Sequence, residues 1–118
     1  MKVLFVEDNL EICEMLGGYL TAENFEVDCA YDGEQACQKF DSDTYHIVLL
    51  DLMIPKISGM DVMKHIRKSS TVPIIIISAK DTEVDKTLGL GLGADDYITK
   101  PFSVVEVVAR VKANIRRT

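Results

Sequence analysis

Two stretches of the chain, Ile47-Val48-Leu49-Leu50 and Ile74-Ile75-Ile76-Ile77, are apolar without a break. A strand with one wet face alternates apolar and polar residues, so an uninterrupted run predicts a strand buried on both faces. That restricts the chain to a sheet covered by helices on each side. The first run stops at Asp51, and Pro55 soon forbids a central strand; the second stops at Ser78-Ala79-Lys80. Open α/β sheets bind ligands in the crevice beyond the carboxyl ends of their strands, which is where Asp51 is placed.

A third run, Lys2-Val3-Leu4-Phe5-Val6, ends at Glu7-Asp8. From Leu10 the spacing turns helical, with Ile12, Leu16 and Tyr19 or Leu20 on one face and Asn9 or Asp8 as cap. Phe25 to Ala30 alternates, as a half-exposed edge strand does. Asp32-Gly33-Glu34-Gln35 is turn and capping-box chemistry for a short helix that buries Ala36, Cys37 and Phe40. Ser58 with Asp61 opens a third helix that turns Val62, Met63 and Ile66 inward. A fourth helix spans about 83–92. It contains Gly89 and Gly91, each costing roughly 1 kcal/mol against alanine, so it is expected to be the least stable. Tyr97-Ile98-Thr99 forms the last strand. Ser103 and Glu106 cap a final helix with Val104, Val108, Val111 and Ile115 inward.

Five strands alternating with five helices predict one α/β domain over residues 1–118, a flavodoxin-like (βα)5 fold with a doubly wound parallel sheet. Right-handed crossovers leave few topologies, and the strand order 2-1-3-4-5 is favoured. In that order strands one and three are neighbours, and their ends bring Glu7, Asp8 and Asp51 together. Strands four and five add Ser78 and Lys100 to the same rim. Crowded carboxylates repel unless one is protonated or a cation joins them. All-oxygen donors suit magnesium; zinc would want histidine or cysteine, and His46 and His65 read as structural or surface residues. A carboxylate nucleophile, a hard cation, a hydroxyl and an ammonium make a phosphoryl-transfer site. Asp51 is its expected nucleophile, Ser78 a hydrogen-bond donor, and Lys100 a partner for phosphoryl oxygens, with Ala79 leaving room. Taken singly, Asp51 could serve its own loop, Ser78 a turn and Lys100 an ion pair.

The net charge of −6 argues against nucleic acid as the direct ligand of this segment and suits a metal cation or a basic partner surface. Three cysteines, Cys13, Cys29 and Cys37, make no CxxC pair and read as small buried hydrophobes in a reducing compartment. No apolar run approaches the ~18 residues of a membrane span, and the first run is too short for a signal-peptide core. The expected location is the cytoplasm, with no membrane partner.

Val6-Glu7-Asp8-Asn9, Asp51 to Pro55 with Gly59, Ser78-Ala79-Lys80, and Gly93 to Phe102 resemble, from end to end, the receiver domains of two-component response regulators. The last stretch is similar to the OmpR/PhoB-type branch. The resemblance implies that Asp51 is the phospho-acceptor for a sensor histidine kinase. It implies magnesium held by Glu7, Asp8, Asp51 and the Met53 backbone carbonyl, with Ser78 and Lys100 on the acyl phosphate. It further implies a cis bond before Pro101 and a Ser78–Tyr97 switch in which Tyr97 turns inward on phosphorylation. A homodimer would form through helix 4, strand 5 and helix 5, using Lys86, Asp95, Asp96, Glu106, Arg110 and Arg117. The pairs between copies would be Lys86–Glu106, Asp96–Arg110 and Asp95–Arg117. The branch continues into a DNA-binding effector domain absent from residues 1–118, and DNA contact would belong to it. The domain would catalyse only its own phosphorylation and dephosphorylation.

Three rival readings fit these residues less well. A haloacid-dehalogenase-like magnesium phosphatase needs a second aspartate where Met53 stands. A flavodoxin's phosphate loop would be repelled by Glu7-Asp8. A phosphorylation-independent interaction domain has no need of the retained acidic set, Ser78 and Lys100.

Overall fold

The computed structural model describes residues 1–80 and 82–117. Among them strands and helices alternate: β1 (Lys2–Val6), α1 (Leu10–Ala22), β2 (Glu26–Ala30), α2 (Gly33–Ser42), β3 (Ile47–Leu50), α3 (Gly59–Arg67), β4 (Ile74–Ser78), α4 (Glu83–Gly91), β5 (Asp96–Thr99) and α5 (Val104–Arg116). Every strand pairing is parallel, and the order is β2-β1-β3-β4-β5, the flavodoxin-like arrangement the sequence predicted.

Burial on both faces follows from strand periodicity. Leu4, Val6, Val48, Leu50, Ile74 and Ile76 face one layer with Ala36, Val62, Met63 and Ile66 from α2 and α3. Val3, Phe5, Ile47, Leu49, Ile75 and Ile77 face the other, with Leu16 and Leu20 of α1 and Val107 and Val111 of α5. The four residues of β3 are fully buried because helices cover both sides.

Helix starts follow the side-chain caps. Asn9, Asp32, Ser58, Thr82 and Ser103 each accept a backbone N–H three residues on. Asn9, not Asp8, caps α1. Leu20 takes the core position there, and Tyr19 is exposed.

The final helix departs from its predicted face. Val107, Val111 and Asn114 are its buried residues, while Val104, Val108 and Ile115 pack only partly against the core. The apolar stripe is wide, and the helix settles with Val107, Val111 and Asn114 inward. There Asn114 Nδ2 donates to the Arg110 carbonyl of its own helix at 2.8 Å and reaches Asp96 Oδ2 of β5 at 3.4 Å. Smaller corrections concern the ends. Phe25 is buried just outside β2, Pro73 just outside β4, and β5 begins at Asp96. Of the cysteines, Cys13 is buried and Cys29 and Cys37 only half-buried.

Two glycines are set by close approach. A Cβ at Gly89 would lie 2.7 Å from Ile76 Cδ1, so this residue lets α4 settle on β4 and gives the glycine a packing role in addition to its helix penalty. At Gly33 a Cβ would lie 2.1 Å from the Ile57 carbonyl oxygen, so α2 can start only where a glycine stands against the loop after β3. Gly33→Ala is therefore expected to lower the unfolding free energy by about 1–3 kcal/mol. Gly18→Ala, in the exposed interior of α1 with nothing within 4 Å, is expected to raise it by about 0.5–1 kcal/mol. Urea titration of the two variants should give shifts of opposite sign.

Candidate functional site

Register places the chemistry. Val6 pairs with Leu50, so Glu7 and Asp51 leave neighbouring strands side by side. One further bond carries the ladder past the strand ends, from the Asp51 N–H to the Val6 carbonyl at 3.0 Å. On the other side of the crevice Ser78 pairs with Thr99, and the Lys100 N–H donates to the Ser78 carbonyl at 2.8 Å. The Lys100–Pro101 peptide bond is cis, as the resemblance implied.

The Lys100 ammonium ties the rim together. Its Nζ is 2.5 Å from Glu7 Oε1 and 2.7 Å from Asp51 Oδ2. Both carboxylates are nearly out of solvent, Glu7 at 1 % exposure and Asp51 at 4 %. Their remaining oxygens are held by backbone: Asn9 N–H donates to Glu7 Oε2 at 3.2 Å, and Met53 N–H to Asp51 Oδ1 at 2.9 Å. Burial pushes the Glu7 carboxyl above its ordinary range, against the pull of Lys100 and Asn9 and with help from the Asp51 charge. For Lys100 burial works downward, yet the hydrogen bonds it donates to Asp51 and Glu7, with their charges, outweigh it and the net direction is up.

Asp8 completes the cluster from the solvent side. One carboxylate oxygen from each of Glu7, Asp8 and Asp51 lies within 4.8 Å of the others. Three oxygen donors, two buried and one exposed, leave a side open to water. That donor set fits a hard divalent cation that keeps some of its hydration, magnesium above zinc.

The other predicted positions divide. Ser78 is fully buried, and its Oγ accepts the Lys80 N–H at 3.3 Å, a bond within its own loop. Met53 has an exposed side chain and contributes its N–H to Asp51. The expected inward turn of Tyr97 is already made in this structure. The ring is 9 % exposed and its hydroxyl donates to the Lys80 carbonyl at 2.6 Å. Gly89 is what leaves room for it, since a Cβ there would lie 3.3 Å from the ring.

On the helix 4–strand 5–helix 5 face, several charges pair within the chain. Arg110 reaches Asp96 at 2.6 Å and Glu106 at 3.8 Å, Arg67 reaches Asp95 at 3.1 Å, and Arg117 bonds Asn114. Lys86 is half-buried on α4. The two histidines hold structural bonds, His46 Nδ1 accepting from the Lys2 N–H and His65 facing Asp41.

Three supports of the site escaped sequence reasoning. Asn9 was seen only as a cap, but its N–H also holds Glu7. Cys13 Sγ donates to the Glu7 carbonyl at 3.2 Å, and the Glu7 N–H donates to the Ala30 carbonyl at 2.9 Å. Only the acidic pair's position beside a helix start could have hinted at them.

Comparison with known proteins agrees with this geometry. A family model described as the response regulator receiver domain matches residues 3–112. The chain is 55% identical over 114 residues to YcbL of Bacillus subtilis (strain 168), an uncharacterized transcriptional regulatory protein, covering 97% of this chain and 50% of that one. The chain spans about half the length of the curated relatives it matches. Among solved structures, the BeF3-activated N-terminal receiver domain of Klebsiella pneumoniae RstA superposes with a TM-score of 0.94 at 29% identity, covering 98% of this chain and 99% of that one. The receiver domain of the Pseudomonas aeruginosa PAO1 sensor histidine kinase PA1611, with magnesium coordinated in its active-site cleft, gives 0.88 at 28% identity, covering 97% and 96%. Among the described residues no helix is long and apolar enough to cross a membrane.

Lys100→Met should remove the one cation that both buried carboxylates share. The expected loss of stability at neutral pH is about 2 kcal/mol, less than for a fully buried pair because 20% of the lysine side chain is exposed. Without the ammonium the Glu7 carboxyl rises further. A carboxyl whose folded pKa is raised favours the folded state at low pH and opposes it as pH climbs through that pKa. The deficit against wild type should therefore narrow as pH falls through the carboxylate range, as urea titrations at several pH values would record.

Proposed function

The chain belongs to the response regulator receiver domain family, and from that membership we propose that it accepts a phosphoryl group on Asp51 from a sensor histidine kinase. The observation that carries this reading is the sharing of Lys100 between Asp51 and Glu7 beside Asp8, at the carboxyl ends of β1, β3 and β5. Glu7, Asp8, Asp51 and the Met53 carbonyl would hold magnesium, as the PA1611 receiver does its own ion in the cleft. Bound there, magnesium supplies positive charge for the phosphoryl oxygens.

The protein's own groups do the rest. An Asp51 oxygen forms the new bond to phosphorus, the bond from phosphorus to the kinase's histidine nitrogen breaks, and the imidazole leaves. Met53 N–H and Lys100 fix the carboxylate so that it meets phosphorus without reorienting. Lys100 then follows the charge onto a phosphoryl oxygen, and Ser78 leaves the Lys80 N–H to donate a hydrogen bond to another. The same groups assist attack by water, which resets the domain. This is self-limited chemistry, a signalling event more than turnover.

The readout assigned to the domain is a homodimer of the OmpR/PhoB type through α4, β5 and α5, regulating transcription in the cytoplasm through a DNA-binding domain outside residues 1–118. YcbL, a transcriptional regulatory protein of about twice this length, supports the last point. Exposed Val84 and Leu88 on α4 give the face an apolar centre. Around it Lys86 would meet Glu106, Asp96 would meet Arg110, and Asp95 would meet Arg117 of a second copy, the last two by exchanging their intrachain partners. Exposed ion pairs contribute only ~0–1 kcal/mol, so they would set register while the apolar centre supplies affinity. In the proposed switch, phosphorylation holds Tyr97 in the inward position that it takes here.

Acetyl phosphate with magnesium should add about 80 Da to the wild type, mapped to Asp51, and nothing to Asp51→Asn. An adduct elsewhere, or none, would overturn the assignment. Beryllofluoride with magnesium should drive the wild type toward dimer in sedimentation velocity. Arg110→Ala should phosphorylate normally yet dimerise about fivefold more weakly.

A further inference from the structure

Besides α4, exposed large apolar side chains gather along a second pair of elements. Leu10, Met15 and Tyr19 lie on α1 and Val105 on α5, with Tyr19 56 % and Val105 79 % exposed. Tyr19 and Val105 flank a groove of about 320 Å³ between the two helices, which Ala22 and Val108 also line. A second groove of about 420 Å³ lies beside it, between Ile12, Met15 and Phe102. Single apolar residues on a surface are ordinary, whereas a row of them along two helices marks a contact. We infer that two copies of this chain join through the α1–α5 groove, about a two-fold axis at the level of Tyr19 and Val105, without phosphorylation.

Charge names the occupant. The start of α1 is acidic, with Glu11 and Glu14 exposed, and the end of α5 is basic, with Lys112 and Arg116 exposed. Both helices follow strands of one parallel sheet, so they run in the same direction. Contacts match their levels. Phe102 lies by Ile12 and Met15, Val105 and Val108 by Tyr19 and Ala22, and Lys112 by Glu23 at 3.0 Å.

A two-fold axis across the groove lays the second copy's helices head to tail on the first. It sets Tyr19 against Val108 of the second copy, and Ala22 against Val105. At about 1.5 Å of rise per residue, the same rotation brings Glu11 to Arg116 and Glu14 to Lys112 of the second copy. One axis thus serves the apolar centre and both charged ends, as a contact between identical surfaces must. Neither Glu11 nor Arg116 has an ion-pair partner among the described residues. Lys112 is 45 % exposed and can keep Glu23 while meeting Glu14. A partner of one charge would suit only one end of the groove, while a second copy carries both signs in the required order.

This face is separate from the one assigned to the phosphorylated dimer. On α5 it uses Val105, Lys112 and Arg116, each one residue before Glu106, Ala113 and Arg117. Successive residues of a helix point about 100° apart, so the two stripes look in different directions. The inference does not rest on phosphoryl transfer and is measured without it.

Sedimentation equilibrium of the full chain in EDTA, with no phosphodonor, should show monomer and dimer in exchange. The expected dissociation constant is on the order of 100 µM, as suits a small apolar centre ringed by exposed charges. Tyr19→Glu should weaken the dimer about tenfold or more, since symmetry counts each substitution twice. Glu11→Arg and Arg116→Glu should each weaken it about fivefold, and the double variant, with the signs exchanged, should regain the wild-type constant. All three positions are exposed, so the variants keep the fold, and an unfolded chain could not produce that rescue. Amide NMR shifts on dilution should follow α1 and α5 and spare α4. A wild type that is monomeric at every concentration up to about 1 mM overturns the proposal. So does a double variant no better than the single ones, or a set of dilution shifts centred on α4.

Discussion

One ammonium group between two buried carboxylates holds this rim together. Lys100 bonds Glu7 and Asp51 at once, and each carboxylate has one further backbone donor. With Asp8 alongside, three carboxyl groups face one ammonium, an acidic surplus that a divalent cation would offset. The sheet creates that crowding, because β1 and β3 are adjacent and in register at their ends. Local energetics alone would never place Glu7 beside Asp51. The fold pays for the arrangement, and what it gains is an acidic site whose oxygen donors fit a hard divalent cation.

The same constraint reaches into the loop after β3. Asp51 can stay fixed only if the chain beyond it is fixed, and that chain includes Lys56 at a φ of 69°. Gly33 closes against Ile57 and donates its N–H to the Pro55 carbonyl at 3.1 Å. At Gly59 a Cβ would lie 2.5 Å from the Asp51 carbonyl oxygen, so α3 also starts in contact with the Asp51 backbone. Lys56 adds loose ion pairs to Asp32 and Glu34, at 3.7 and 3.8 Å. Packing, more than charge, holds this loop.

Much of this was legible in the sequence because it rests on period and punctuation. Unbroken apolar runs named the central strands, and capping residues named the helix starts. Strand ends then named Glu7, Asp51, Ser78 and Lys100 as neighbours once the order 2-1-3-4-5 was favoured. What stayed hidden depends on contacts across elements. The final helix carries valines on too wide an arc for spacing to choose among them, and the face it buries brings Asn114 to Asp96 of β5 at 3.4 Å. Gly89 looked like a helix penalty until its distance to Ile76 showed a packing role. Cys13 looked like a small core residue, and no spacing rule could show that its thiol donates to the Glu7 carbonyl at 3.2 Å.

A single peptide unit joins the rim to the helix beyond it. The Lys80 N–H is held by Ser78 Oγ, and the Lys80 carbonyl by the Tyr97 hydroxyl. Tyr97 in turn lies against Gly89 of α4. If Ser78 gives up Lys80 for a phosphoryl oxygen, as proposed, the Lys80 N–H loses its acceptor while its carbonyl keeps the tyrosine. The peptide then stays tied to Tyr97, inward against α4, a short helix with two glycines and one buried residue of its own. Coupling between sites requires an element with two arrangements of similar free energy, and a weakly anchored helix meets that requirement better than a fully packed one. The glycine that lets α4 approach the sheet is thus also what keeps it from being locked there.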